Sequence, residues 1–238
     1  MSATPPFRLV LWNVDNTLVD VAQVARVASA EAFEKVTGRP LVRLASTAGR
    51  TESEFFFESL ALNDVEWDDE LLPAYNDALA VAFKAHQDML RDHGRPLPGA
   101  SAALYAVAES QGTVQTVLTG SIRANAVLKL TAYGLDGPID FDIGGYGSEV
   151  YPRATLLQVA RSRAGEKHGV TFSEAATVYI ADSVRDVEAA QIAGARMVAV
   201  ASGRNTAAEL SGAGAEVVLD DLTDTGALLA AIVGRPTS

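Results

Sequence analysis

The fold of this chain is decided by one stretch, Leu9-Val10-Leu11-Trp12-Asn13-Val14-Asp15-Asn16-Thr17-Leu18-Val19-Asp20. Its first residues are large and apolar, which predicts a buried strand. Asn13 and Asp15 follow two residues apart, so an extended backbone turns both side chains to the same side. Asn16 tolerates the left-handed backbone that a sharp exit from a strand often needs. Because open α/β sheets hold their ligands at the carboxyl ends of strands, we expect a ligand site at this turn.

A second acidic turn follows the β-branched run that ends at Ala181. Asp182 comes directly after this predicted strand, and Asp186 lies four residues further on. Two carboxylates at strand and helix ends are suitable oxygen ligands for Mg²⁺. The simpler interpretation is that Asp182 caps the following helix and that Asp186 is a surface residue.

Two weaker signals lie between these acidic turns. A β-branched run predicts a strand that ends at Thr119, and Gly120 and Ser121 then offer N–H and hydroxyl groups that could hold phosphate oxygens. The alternative is that Thr119 caps a helix starting near Ile122. Arg153 begins another predicted helix, where a basic residue is locally disfavoured, and this favours a functional role over a solvated one.

Taken in order, these segments resemble the four motifs of the haloacid dehalogenase-like hydrolase superfamily, whose members are mostly magnesium-dependent phosphatases. The first motif of that family is Asp-x-Asp-Gly-Thr. This chain departs from it with Asn13 at the attacking position and Asn16 in place of glycine. Ala181 stands where the fourth motif has glycine, and Pro152 precedes the base of the third motif instead of following it. The resemblance covers almost the whole chain and is to the phosphoglycolate-phosphatase-like branch.

The predicted strands and helices alternate after Pro98, and one of the predicted strands is Pro138–Ile143. This alternation predicts a doubly wound parallel sheet, an α/β fold. With the resemblance, it gives a core domain of residues 1–20 and 96–238. Residues 21–95 are predicted to be helical and, by the resemblance, to form a cap domain inserted after the first strand. The alternative is that these helices simply pack on the sheet.

One loop within the helical block has two interpretations. Thr51 with Glu54 three residues later predicts a capping box at a helix start. The resemblance instead makes Gly49, Arg50 and Thr51 a cap loop that faces the substrate.

The resemblance implies phosphomonoester hydrolysis through a phospho-aspartyl intermediate. Residue 13 attacks phosphorus, while Asp15 protonates the leaving oxygen and later activates water. The implied catalytic residues are Asn13, Asp15, Thr119 and Arg153. The implied substrate-binding residues are Thr17, Arg50, Thr51, Gly120 and Ser121. The implied Mg²⁺ ligands are Asn13, Asp15, Asp182 and Asp186.

Asn13 predicts that the chain as written is nearly inactive, because an amide is a far poorer nucleophile than a carboxylate. One interpretation is an inactivating replacement in a working phosphatase, introduced to trap a bound substrate. Another is a natural pseudoenzyme that binds a phosphate ligand without turning it over. A third alternative, haloacid dehalogenation, needs neither Mg²⁺ nor an acid at position 15, so Asp15, Asp182 and Asp186 disfavour it.

Composition narrows the possible partners. The chain has 238 residues, a formal net charge of −11, three histidines and no cysteine. This charge argues against a nucleic-acid surface, and the lack of cysteine excludes disulfides and thiol nucleophiles. No apolar run approaches the roughly 20 residues that span a bilayer, and residues 1–8 lack the pattern of a targeting segment. We therefore expect a cytoplasmic protein without a nucleic-acid or membrane partner. The resemblance implies a small phosphorylated metabolite as substrate, and monomer and homodimer are both left open.

Overall fold

The structure is a computed structural model that describes residues 7–47, 49–149 and 152–234. Residues 1–6, where no targeting segment is expected, lie outside the described residues. No helix in these ranges combines the length and apolar character needed to cross a membrane.

A six-stranded sheet forms the centre of the molecule, and every pairing within it is parallel. The strand order is β5-β4-β1-β6-β7-β8, which places β1 between β4 and β6. The sheet strands are β1 Arg8–Trp12, β4 Thr113–Thr119, β5 Gly145–Tyr146, β6 Thr177–Ala181, β7 Arg196–Val200 and β8 Val217–Leu219. A two-stranded antiparallel sheet pairs β2 Val19–Asp20 with β3 Arg95–Pro96.

Helices cover both faces of the six-stranded sheet, which confirms the predicted doubly wound α/β fold. Strand β1 shows why both faces need a covering layer, because its successive side chains from Leu9 to Trp12 point to opposite faces of the sheet and are all apolar. Val10 and Trp12 join one apolar cluster, whereas Leu9 and Leu11 join another, and all four are fully buried. Among the helices that follow β3 in the chain, those that contribute to the first cluster are α5 Ala100–Ala108, α6 Arg123–Ala132 and α10 Thr225–Val233. Those contributing to the second are α7 Arg153–His168, α8 Val184–Ala193 and α9 Ala207–Gly212.

A block of helices lies between β2 and β3, as the sequence predicted. These helices are α1 Ala22–Thr37, α2 Glu52–Leu62, α3 Leu71–Ala85 and α4 Met89–His93. Pairing of β2 with β3 brings the two ends of the block together at its base. Helices α3 and α4 contact α6 of the sheet layer, so apolar packing runs without a break from the block to the sheet. Residues 21–95 as a separate cap domain stay a prediction.

The prediction of a strand over Pro138–Ile143 is wrong. The chain instead forms a short 3-10 helix over Phe141–Ile143, and the edge strand β5 follows it. The Asp140 side chain accepts a hydrogen bond from the Asp142 amide at 3.2 Å and thereby caps this turn. Local capping by an Asp side chain competes with strand pairing, and here the turn is favoured.

Candidate active site

Three neighbouring strands end at the same edge of the sheet and bring the predicted motifs together. Strand β1 lies between β4 and β6, so Asn13, Thr119 and Asp182 follow one another along this edge. The Asn13 amide still donates to the Ile180 carbonyl oxygen at 2.9 Å, and the chain then turns. Asn16 takes a φ of 60°, the left-handed backbone expected from the sequence. Three of the four motifs therefore meet because their strands are adjacent and parallel.

The Asn13 side chain lies at the centre of this group. Its Nδ2 donates to the Asp15 carbonyl oxygen at 2.9 Å and to Asp182 Oδ1 at 2.8 Å, and lies 3.3 Å from Thr17 Oγ1. Thr17 Oγ1 donates in turn to the same Asp182 oxygen at 2.9 Å. Carbonyl and carboxylate oxygens only accept hydrogen bonds, so this network selects the amide orientation with Nδ2 toward them. The Asn13 Nδ2 group therefore lies between the Asp15 carbonyl oxygen and Asp182 Oδ1, two oxygens that would otherwise repel each other.

Asp182 is buried beside these groups. Burial raises its pKa to about 7, and the charge of Asp186 acts in the same direction. Hydrogen bonds from Thr17 and Asn13 and the charge of Arg153 oppose this shift. The ionised form of the Asp182 carboxyl group is therefore poorly stabilised by its protein neighbours.

The fourth motif also supplies a buried ion pair. Arg153, at the start of α7, pairs with Asp186 Oδ1 and donates to the Tyr179 hydroxyl at 3.1 Å. Asp186 Oδ2 accepts from Ser183 Oγ at 2.6 Å, so both of its oxygens are engaged within the protein. Burial lowers the Arg153 guanidinium pKa, but the charge and hydrogen bond of Asp186, with smaller contributions from Tyr179 and Asp182, together raise it above its ordinary value. Asp186 is consequently an anchor for Arg153 and lies in the interior, contrary to the surface alternative.

The expectation that Asp182 caps the following helix is wrong. Ser183 is the N-cap of α8, and its side chain accepts from the Asp186 amide at 3.2 Å. A serine hydroxyl one residue further along reaches the first-turn amides, which leaves the Asp182 carboxylate free to face Asn13. The Thr119 alternative is also wrong, since Ile122 precedes α6 without a side-chain cap. Thr119 Oγ1 instead accepts from the Ser121 amide at 3.1 Å.

Asp15 is held by a lysine that the sequence analysis did not single out. Lys129 Nζ donates to both carboxylate oxygens of Asp15 at 2.7 Å and to Ser121 Oγ at 2.8 Å. Ser121 Oγ itself donates to Asp15 Oδ2 at 2.9 Å. The sequence feature that could have identified Lys129 is its position on α6. It lies three residues after Ala126 and next to Leu130, on the buried face of the helix. A lysine in the apolar stripe of a helix needs a partner.

The loop before α2, which the resemblance assigns to a cap, lies directly on the turn after β4. The Glu52 amide donates to the Gly120 carbonyl oxygen at 2.8 Å, and Arg153 donates to the Arg50 carbonyl oxygen at 3.4 Å. A Cβ on Gly120 would lie 2.0 Å from that Arg50 oxygen, so glycine permits the approach. Thr51 forms the predicted capping box, with its hydroxyl accepting from the Glu54 amide at 3.3 Å and the Glu54 side chain accepting from the Thr51 amide at 2.8 Å.

Glu52 on α2 and Tyr75 on α3 were also missed by the sequence analysis. Glu52 Oε1 accepts from the Tyr75 hydroxyl at 2.9 Å, and Tyr75 stacks on Phe56 with ring centroids 4.1 Å apart. Burial raises the pKa of Glu52 to about 7, while Lys129 and the Tyr75 hydrogen bond lower it and Asp15 raises it. No sequence pattern marks this contact, because it forms only where α2 and α3 meet the sheet.

The oxygens around Asn13 form a small set of ligands that a cation could bind. In the described part of the chain, no three acidic or histidine side chains gather around one point. The Asp15 carbonyl and Asp182 Oδ1 nevertheless converge at 2.9 and 2.8 Å from Asn13 Nδ2. Turning the Asn13 amide would present its Oδ1 as a third oxygen, and a carboxylate at position 13 would add a charge. Such hard oxygen ligands fit Mg²⁺.

Comparison with known proteins decides the family. The profile of the haloacid dehalogenase-like hydrolases matches residues 10–191. The chain belongs to this family. No curated protein sequence matches it.

Solved structures share the fold over nearly the full chain. A hydrolase from Pseudomonas syringae is 23% identical, with a TM-score of 0.69 over 94% of this chain and 99% of its own. A protein described as a predicted phosphatase from Clostridium acetobutylicum is 18% identical, with a TM-score of 0.69 and the same coverage. One described as a predicted phosphoglycolate phosphatase from Haemophilus somnus is 18% identical, with a TM-score of 0.61 over 94% of this chain and 98% of its own.

Proposed function

We propose that this chain carries the site of a Mg²⁺-dependent phosphomonoester hydrolase for a small phosphorylated metabolite, and that Asn13 leaves it nearly inactive. The observation that supports this most is the convergence of the Asp15 carbonyl and Asp182 Oδ1 on one point, 2.9 and 2.8 Å from Asn13 Nδ2. The phosphoglycolate-phosphatase-like branch, a cap at residues 21–95, a cytoplasmic location and a monomer or homodimer belong to the same proposal.

In the proposed reaction, a carboxylate at position 13 attacks phosphorus and the bond from phosphorus to the alcohol oxygen breaks. Asp15 gives a proton to that oxygen, then takes one from the water that hydrolyses the acyl phosphate. Phosphate leaves and the carboxylate is regenerated. Lys129 fixes the orientation of the Asp15 carboxylate throughout.

The phosphoryl oxygens would be held by groups that border Asn13. Arg153 supplies the fixed positive charge, while Thr17, Thr119, Gly120 and Ser121 supply hydroxyl or N–H groups. Mg²⁺ would be held by the Asp15 carbonyl, Asp182 and an oxygen of residue 13, with Asp186 supporting, and would neutralise charge on the phosphoryl group. Arg50 and Thr51 would close the site from the cap.

Asn13 removes the nucleophile but leaves the rest of this arrangement in place. Its amide is neutral, and attack by its oxygen would give a cationic imidate-like adduct instead of an acyl phosphate. The Nδ2 group is also engaged by Asp15 and Asp182. This last observation favours the second candidate, a phosphate-ligand-binding protein without turnover. Dehalogenation remains disfavoured by the retained acids.

The test is the reverse substitution. Asn13→Asp is expected to release phosphate from a generic aryl phosphate in the presence of Mg²⁺, whereas the chain as written is not. A folded Asn13→Asp protein that binds Mg²⁺ but hydrolyses no phosphate ester would favour the second candidate.

A further inference from the structure

The region beyond Asp15 has a charge balance that bears on the substrate. Asp15 is the proposed donor to the alcohol oxygen, so the groups around its carboxylate also surround the alcohol part of the ester. Its side chain is about one-third exposed, and it is bordered by Ser121 and Lys129. The Glu52 amide donates to the carbonyl oxygen of Gly120, the residue before Ser121, at 2.8 Å. The Glu52 side chain is close enough for the charges of Lys129 and Asp15 to act on its carboxyl group.

Glu52 has a fixed position there. Its Oε1 accepts from the Tyr75 hydroxyl at 2.9 Å, and Tyr75 is fully buried against Phe56. Among the described residues, none forms an ion pair with Glu52. A partly exposed carboxylate held by one neutral donor retains capacity to accept hydrogen bonds from a ligand.

Three cations near Asp15 and the loop before α2 are paired with carboxylates of the chain. Lys129 directs its donors to Asp15 and Ser121, and its ammonium also lies 5.3 Å from the centre of the Phe83 ring. Arg153 is paired with Asp186, and Arg50 is paired with Glu58. A carboxylate on the alcohol part of a substrate would therefore meet Glu52 and Asp15, and Lys129, Arg153 and Arg50 already have carboxylate partners.

We propose that Glu52, positioned by Tyr75, binds the alcohol part of the phosphate ester and selects alcohols that carry a hydroxyl or ammonium group over those that carry a carboxylate. This inference rests on the proposed function for the identity of the site. It narrows the substrate class, because glycolate-type leaving groups are then disfavoured.

Three probes of matched size test this selection: 2-hydroxyethyl phosphate, phosphoethanolamine and 2-phosphoglycolate. Their affinities are measured by calorimetry with Mg²⁺ on the chain as written, which does not consume them. The pH is 8, above the pKa of about 7 of Glu52, so that its charge is present. We expect the first two to bind at least about tenfold more tightly than phosphoglycolate, since like charges a few ångströms apart repel by more than this factor requires.

Glu52→Gln keeps the shape and the acceptor for Tyr75 but removes the charge, and is expected to bring the three affinities within about threefold of one another. Glu66→Gln removes a charge from an exposed position of the same helical block and should leave the selectivity unchanged. Tighter binding of phosphoglycolate, an unchanged ratio in Glu52→Gln, or binding of none of the probes would overturn the inference. Hydrolysis of an aryl phosphate by Asn13→Asp, measured separately, distinguishes failure of the proposed function from failure of this selection.

Discussion

At the scale of single residues, the sequence predicts the positions of Asn13 and Asp15 but not the hydrogen bonds that their atoms form. The sequence predicts where both lie and that Asn16 turns the chain after them. It does not predict that Asn13 Nδ2 would be shared between Asp15 and Asp182, because this depends on the side-chain distances. One nitrogen in place of oxygen converts a set of mutually repelling oxygens into a satisfied hydrogen-bond network.

The raised pKa of Glu52 predicts a pH dependence of stability. Its pKa is about 7 in the folded chain and near the ordinary value of 4.5 when unfolded, so the folded state binds the proton more tightly. Stability from this group is then fully present below pH 4.5 and is lost as pH rises to about 7. Glu52→Gln should remove about 1 to 3 kcal/mol of this decline, measured by urea unfolding at several pH values.

The exposed Glu66→Gln variant is the control for this measurement and should decline with pH as the parent chain does. If the Glu52→Gln and parent curves run parallel from pH 4.5 to 7, Glu52 is not perturbed by the fold.

Lys129, Glu52 and Tyr75 show what residue patterns cannot reveal. Each belongs to a helix whose sequence accounts for the helix itself, and none is part of a motif. Their contacts form where α2 and α3 approach α6 and the turn after β4, which is a tertiary arrangement. The position of Lys129 on the buried face of α6 indicated that it has a partner, but not which one. The motif residues were predictable because a strand end fixes both their position and their direction.

At the scale of elements, the turn after β1 depends on the left-handed conformation of Asn16, with φ at 60°. A β-branched residue is strongly disfavoured there, whereas glycine is not. Asn16→Val should lower the free energy of unfolding by about 1 to 2 kcal/mol, measured by urea denaturation. Asn16→Gly is the matched variant and should retain the parent stability. Equal losses in both would mean that the asparagine side chain, and not the backbone conformation, maintains the turn.

The contact of the cap loop with the strand ends depends on a second glycine. A Cβ on Gly147 would lie 1.7 Å from the Gly120 carbonyl oxygen and 2.8 Å from the Glu52 nitrogen. Gly147→Ala should therefore cost about 1 to 3 kcal/mol of stability and accelerate hydrogen exchange at the Glu52 amide.

Gly212→Ala provides the comparison for this variant, because a Cβ there meets nothing within 4 Å. It should keep or raise stability. Unchanged exchange at the Glu52 amide in Gly147→Ala would show that the loop does not depend on this close approach.

The segment before β5 shows where pattern analysis of elements failed. Pro138–Ile143 has the apolar and polar alternation that is typical of a strand, yet it forms a capped turn and a 3-10 helix. Period-two patterns indicate strands only when a neighbouring strand is available for pairing along their length. The pairing of β4 with β5 begins instead at Gly145.

At the scale of the whole molecule, the order of strands and helices was predictable and the packing between layers was not. Alternating strands with crossover helices leave few possible topologies, so the parallel sheet follows from the sequence. Continuous apolar packing from the helical block through α6 to the sheet requires the three-dimensional structure.

Metal binding should be visible as a change in global stability. A ligand that binds only the folded chain stabilises it by mass action, and a tenfold gain in affinity adds about 1.4 kcal/mol at saturation. Mg²⁺ should therefore raise the Tm of Asn13→Asp more than that of the parent chain, in which residue 13 adds no charge. Asp182→Ala, introduced into either protein, should abolish the rise in Tm that Mg²⁺ produces in a thermal melt. Equal shifts in all of these proteins would place the ion elsewhere.

The central claim is that a phosphatase site lacks only its nucleophile. The most direct measurement is Mg²⁺-dependent phosphate release from an aryl phosphate by Asn13→Asp, beside the parent chain and an Asn63→Asp control that adds a carboxylate in the helical block. The account predicts a rate increase on the order of 10³ to 10⁶ for Asn13→Asp alone, and its loss when Asp15→Asn is combined with it. A folded Asn13→Asp protein that binds Mg²⁺ and releases no phosphate would contradict the account.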